Sequence, residues 1–212
     1  MVPITLHSKV LSWLEASIFD TDARLPDHIE SVLADFFGQR EAFRHDLQTI
    51  SEPLFETMLL QSRETPSHFK WHLLTLHDGS ANVWLHEYKP SSVRSSGYAQ
   101  SVHNHRYPMS VLVLVGGYCY TEYEVKAGAD EMHADVCVRG VHYLSRGSVY
   151  SMTPSEFHSA TKILDGTVSL MIQGAPDRTF STSVDPMTFK MTHHVPIEYR
   201  LNTLRSVLDN TN

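Results

Sequence analysis

Three histidines stand at spacings that can hold a metal ion. His103 and His105 lie in the run SVHNHRYPMSVLVLVGG that begins at Ser101, and His158 ends the run RGSVYSMTPSEFH that begins at Arg146. In a strand, residues i and i+2 project to the same face, so His103 and His105 present two imidazoles side by side. A third imidazole from a neighbouring strand completes one face of a coordination shell and leaves the opposite face open. An open face marks a catalytic centre, whereas a fourth protein ligand closes a structural one. Imidazoles bind Zn, Cu, Fe and Ni alike. Fe(II) is the leading expectation, because the open face lets substrate and dioxygen bind together; Zn, Mn, Ni and Cu are the alternatives. The paired cysteines of structural zinc sites are absent.

These residues need strands to position them, and the chain supplies strands after an opening helical region. In 25–38 (LPDHIESVLADFFG) the residues Ile29, Val32, Leu33, Phe36 and Phe37 fall at i, i+3, i+4, i+7 and i+8, one stripe of a helix. Pro26 suits its first turn and Gly38 its C-terminal cap. Val10, Leu11, Leu14 and Ile18 make an earlier, weaker stripe. Phe43, Leu47 and Ile50 follow, and Ser51-Glu-Pro53 opens a further helix with Leu54, Phe55, Met58 and Leu59 as its apolar face. From Phe69 onward short β-rich runs alternate with turn residues: 69–76, 82–88, 109–115, 118–125, 136–138, 141–144, 148–152, 160–163 and 167–173. Many short strands at such spacing predict a β-sandwich or barrel. The expected organisation is one structural domain: a helical region over 1–62 packing on a barrel over 63–190, then a tail over 191–212 with a short helix within 197–208.

Composition narrows the function classes. With 212 residues, 42% hydrophobic and 19% charged, the chain is long enough and apolar enough to bury a core. A net charge of −7 argues against nucleic acid or an anionic membrane surface as partner. No apolar run reaches the roughly 18–20 residues of a membrane helix, and the N-terminus lacks a secretory pattern. A cytoplasmic protein is expected. Cys119 and Cys137 are too few for a disulfide framework and read as buried reduced thiols. Of the fourteen histidines, His72, His77 and His86 flank the early strands, and His193 and His194 read as surface residues. Trp71 and Trp84 are expected to pack the barrel against the helices.

The two histidine segments resemble the two motifs of the cupin superfamily. That superfamily comprises small jelly-roll-like β-barrels whose first motif supplies H-x-H and whose second supplies a G…P…H run. Here His103-Asn-His105 is followed by an apolar strand and Gly117, then by Gly147, Pro154 and His158. Met109 and Ser110 stand where a four-ligand cupin carries glutamate, so the resemblance implies a three-histidine site. Within the superfamily the chain is most similar to the cysteine-dioxygenase-like branch of non-heme iron oxygenases, which also places helices before the barrel. The likeness covers roughly 65–180. It fails at the residues that make thiol dioxygenases: on 167–175 (TVSLMIQGA) only Ser169 of a Ser-His-Tyr triad is kept. Met171 and Gln173 replace the other two, and Ser110 occupies the place of the crosslinking cysteine. The substrate-gripping arginine falls near His72 or Trp71.

The resemblance therefore implies the metal and the fold but not the thiol substrate. Its alignment makes Ser110, Leu112 and Leu114 the inner face of one strand, with Ser169, Met171 and Gln173 the inner face of another. His72, Ser110, Ser169, Met171 and Gln173 are the expected substrate pocket. Tyr120 is a candidate hydrogen-bond donor toward the open face of the metal. Arg106 is a candidate fork for a substrate carboxylate. Glu156, two residues before His158, is a candidate base or acceptor if the strand there is regular. The leading expectation is an Fe(II)-dependent oxygenase acting with O2 on a small polar, metal-chelating substrate, as monomer or homodimer. A redox-neutral lyase or isomerase, with a base among Tyr98, Tyr107, Tyr118 and Tyr120, is the first alternative. A non-enzymatic ligand- or metal-binding barrel is the second.

Overall fold

The apolar stripes read from the sequence become four helices: α1 Lys9–Phe19, α2 Pro26–Gly38, α3 Arg40–Gln48 and α4 Glu52–Gln61. The structure is a computed structural model and describes residues 9–19, 26–76, 79–95, 100–128, 132–196 and 207. Ile29, Val32, Leu33 and Phe36 are buried along one side of α2, as their 3.6-residue period requires. The apolar face of α4 is narrower than expected. Met58 is buried and Leu54 partly so, but Phe55 and Leu59 lie on the neighbouring row and face solvent.

Twelve strands follow among the described residues. They are β1 Arg63–Glu64, β2 His68–Thr75, β3 Ala81–Tyr88, β4 Val102–His103, β5 Met109–Val115, β6 Gly117–Ala127, β7 Ala134–Ser145, β8 Val149–Met152, β9 Phe157–Thr161, β10 Val168–Gly174, β11 Ser181–Val184 and β12 Met191–His194. Two expected runs, 136–138 and 141–144, merge into β7. The Ser181–Val184 and Met191–His194 strands carry no apolar alternation strong enough to be read in advance. The expected helix within 197–208 lies outside the described residues, Val207 excepted, as do His77 and Tyr98.

The strands form two antiparallel sheets of six, ordered β1-β2-β3-β10-β5-β8 and β12-β11-β4-β9-β6-β7. No pairing among the described residues closes them into a barrel, so the expected barrel is an open, two-sheet jelly-roll-like body. Alternation divides the first sheet. Val83, Leu112, Leu114, Leu170 and Ile172 join the core beneath the helices, with α2 across β5 and β8 and α4 against β2. Residues of opposite parity face the second sheet, where Val113 packs with Tyr118, Tyr120 and Ala160. The mainly β architecture with N-terminal helices is thus the one the sequence predicts.

Two further expectations are corrected. Cys119 is buried, but Cys137 is exposed on β7; both are free thiols. Neither tryptophan packs the helices: Trp71 donates its indole N–H to Glu87 (2.9 Å), and Trp84 lies on the opposite face, against Met109 and Met171. Among the described residues no helix is long and apolar enough to cross a membrane.

The chain changes sheets at Gly116-Gly117, between β5 and β6. Gly116 has φ +72°, and a Cβ there would collide with the Thr167 hydroxyl; at Gly117 it would meet the Leu144 carbonyl at 2.5 Å. Thr167 Oγ1 accepts from Gly117 N (3.0 Å) and so ties the crossover to the start of β10. Gly116→Ala combines a left-handed backbone with overpacking and is expected to cost about 2–4 kcal/mol. Urea unfolding checks this; a loss below about 0.5 kcal/mol would contradict it.

Candidate metal centre

Cross-strand pairing brings the first two imidazoles together. β4 and β9 are antiparallel with His103 directly opposite His158, and both are buried. Side chains opposite one another in such a pair lie about 5 Å apart at Cβ, close enough for the rings to meet. His103 Nε2 and His158 Nε2 are 3.0 Å apart. That is the separation of two nitrogens each roughly 2.1 Å from one ion at a near-right angle. His105 lies just beyond the end of β4, its ring 4.9 Å from that of His103 and 5.1 Å from that of His158. One nitrogen from each histidine falls within 4.8 Å of the other two.

The two-residue step from His103 to His105 is held by Asn104. Its backbone N–H donates to Thr182 O (3.0 Å), and its side-chain oxygen accepts from Thr182 N (2.7 Å). β11 therefore clamps the residue between the two imidazoles although β4 has ended. His103 Nδ1 lies 3.0 Å from Ser101 O, which assigns the proton to Nδ1 and leaves Nε2 as a lone pair. Tyr107 stacks on His105 at 5.4 Å.

Burial keeps all three rings neutral. It pulls His103 down to about 4 and holds His105 and His158 well below the usual imidazole range. Neutral imidazoles are the form that binds metals, so the donor set suits a divalent ion.

The centre opens on a cavity of about 860 Å³ between the sheets. Its far wall is built by rows across the first sheet: His86 opposite Ser169, then Trp84 opposite Met171 and Val111, then Asn82 opposite Gln173 and Met109. Lys70 pairs with His86 from β2. As a residue it is half-buried, but its amine reaches into the cavity, donates to Gln173 Oε1 (3.0 Å) and sits 4.2 Å above the Trp84 ring. Burial, then repulsion from Arg63, lowers that amine to about 7. Among the described residues no carboxylate pairs with it. His68 stacks on His86 at 4.6 Å, and burial brings His68 down to about 4.

Of the residues expected in the pocket, the structure brings those of one strand to the cavity and leaves those of two others away from it. Ser169, Met171 and Gln173 line the cavity together. Ser110 does not: it is buried with its hydroxyl 2.6 Å from that of Ser151, while Met109 and Val111 point inward. The inner face that the resemblance assigns to β5 is therefore the wrong one: Ser110, Leu112 and Leu114 look away from the cavity, because Leu112 and Leu114 are packed in the core beneath the helices. His72 also leaves the wall; its Nε2 contacts Thr75 and Asn82, and its ring abuts the outer edge of Trp84. Glu156 precedes β9 in a turn, exposed, with its carboxylate accepting from Thr153 N, so it does not share the His158 face. Arg106 lines the cavity.

Tyr120 is buried beside the centre, its ring 5.2 Å from His158 and 4.8 Å from Tyr150, but it does not line the cavity; Tyr118 and Tyr150 do, sharing a hydrogen bond of 3.1 Å. Burial pushes Tyr107 up to about 12 and Tyr118, Tyr120 and Tyr150 above the usual phenol range, against any role as a base. Sequence reasoning missed His68, Lys70, Trp84 and His86. Their alternation on β2 and β3 was visible; which face it marked was not.

No family model and no curated protein matches the chain. Among solved structures it is similar to oxalate decarboxylase of Bacillus subtilis. A mutant of that enzyme lacking residues 162–163 aligns at 12% identity and TM-score 0.41 over 60% of this chain and 30% of its own. The pH 4.6 structure aligns at 12% and 0.40 over 71% and 35%. The chain thus spans about a third of the length of the proteins it overlays.

Lys70 gives the site a measurable pH signature. Below about pH 7 the amine is charged in both folded and unfolded states, and the folded state bears its desolvation. Between about 7 and 10.5 only the unfolded state stays protonated, so stability rises with pH across that window. Lys70→Met is expected to raise the melting temperature of the metal-free protein more at pH 6 than at pH 9. Equal shifts, or the reverse order, would contradict the assignment.

Proposed function

We propose that the chain is a metal-dependent enzyme of cupin architecture, an oxygenase in which His103, His105 and His158 hold Fe(II) and a chelating small molecule is oxidised with O2. The observation that carries the reading is the convergence of three neutral imidazoles at the wall of a large internal cavity. Bound there, the ion would supply a Lewis-acidic, one-electron redox centre. The ligands bring no negative charge, so an anionic chelating substrate is favoured. Met109, Val111 and Met171 give the cavity an apolar patch beside its polar groups. Tyr107 stacks on His105 and fixes its ring. Thiol dioxygenation is not the favoured reaction: Met171 and Gln173 occupy the inner positions of the missing triad residues, and Ser110 faces away from the cavity.

A redox-neutral lyase or isomerase is the second reading. It draws on His68, His86 and the near-neutral amine of Lys70, acid–base groups in the same cavity that oxygenation does not require. Metal analysis and oxygen uptake separate the readings. Protein loaded with Fe(II) under anaerobic conditions is expected to hold about one iron per chain, falling to background in His103→Ala and His158→Ala, and to consume O2 with a chelating substrate. Iron retained in both variants would overturn the centre, and turnover under strict anaerobiosis would transfer the assignment to the redox-neutral class.

A further inference from the structure

Three buried polar atoms on the wall facing the triad have no hydrogen-bond partner in the protein: Trp84 Nε1, His86 Nε2 and Ser169 Oγ. A buried polar group left unsatisfied costs roughly 1–3 kcal/mol in free energy, so such groups are few and call for an explanation. Here all three line one cavity. They come from two paired strands: His86 is opposite Ser169, and Trp84 occupies the next inward position on β3, opposite Met171. The indole can only donate, and the hydroxyl and imidazole can each donate. The Lys70 amine, held above the Trp84 ring by Gln173, adds a positive charge, and Arg63 and Arg106 line the same cavity. N–H and O–H donors around one cation form the complement of a carboxylate.

The rest of the cavity adds a second requirement. Its volume of about 860 Å³ lies in the range that holds a drug-sized ligand. Met109, Val111, Met171, Tyr107, Tyr118 and Tyr150 supply side chains suited to an apolar or aromatic body. A two- or three-carbon acid would leave most of this surface uncovered.

We propose that Trp84, His86, Ser169 and Lys70 form a carboxylate subsite, and that the substrate is an amphipathic, preferably aromatic, carboxylic acid spanning from this wall to the triad. The assignment rests on the metal-enzyme reading for its catalytic meaning and holds for either chemistry. The subsite itself is tested apart from the metal.

3-Phenylpropanoate has a carboxylate and an aromatic body but no second polar group, so it probes the subsite alone. Isothermal titration at pH 7 compares it with 3-phenylpropanamide and propanoate, on the parent protein and on His103→Ala. The acid is expected to bind both proteins and to exceed the amide and propanoate by about tenfold or more. Ser169→Ala and Trp84→Phe are each expected to weaken the acid by roughly tenfold, the effect of removing a hydrogen bond to a charged group. Ser169→Ala deletes a single buried hydroxyl and keeps the test open should Trp84→Phe fold poorly. Equal binding of acid and amide, affinity unchanged in Ser169→Ala, or no binding of the acid would each overturn the subsite. Acid binding by a parent protein that takes up no Fe(II) would leave the subsite standing and remove the enzyme reading alone.

Discussion

The pairing of His103 against His158 is the constraint on which the site depends. β4 contributes two residues to its sheet and would not persist alone; it exists between β9 on one side and β11 on the other. A shift of β9 by one residue would turn His158 to the opposite face of the sheet, because the side-chain period of a strand is two. The Asn104–Thr182 exchange of hydrogen bonds fixes the same register from the other side. Three imidazoles brought so close, and buried, are stable only as neutral rings, and that is also the state in which they can serve as ligands.

Division of labour between the sheets follows from this register. The second sheet carries the triad at its centre. The first carries on one face the apolar surface that covers the helices, and on the other the polar and aromatic wall opposite the triad. Among the described residues, the helices touch the cavity only at the end of α4, where Leu60 and Gln61 line it. They bury the outer face of the first sheet, and by doing so hold β3, β5 and β10 in the alternation that turns Trp84, His86, Ser169 and Met171 inward. The Gly116-Gly117 crossover lets the chain pass from one sheet to the other without displacing Thr167, whose hydroxyl anchors the start of β10.

The electrostatics of the cavity are unusual in having little compensation. Imidazoles, phenols and one amine are drawn toward their neutral forms by burial, and among the described residues no acid pairs with the Lys70 amine. A cavity of this kind favours an incoming anion over a cation, in keeping with a centre whose protein ligands are themselves uncharged.

How much of this was legible in advance divides along physical lines. Helix stripes, most strands and the three histidines are local signals, set by periodicity and spacing, and they were readable because each element buries a face that its own sequence marks. The inward set Ser169, Met171 and Gln173 was readable for the same reason. Ser110 was misplaced because both faces of β5 are buried and its alternation does not say which one meets the cavity, and Glu156 because the strand begins one residue after it. His68, Lys70, Trp84 and His86 could not be ranked above the other polar residues on β2 and β3, since both faces of those strands alternate. The sequence by itself determined the class of fold and singled out the three candidate ligands, His103, His105 and His158. Which residues stand across from those ligands was decided only by the tertiary structure, because long-range strand pairing, not local periodicity, chooses the face that meets the cavity.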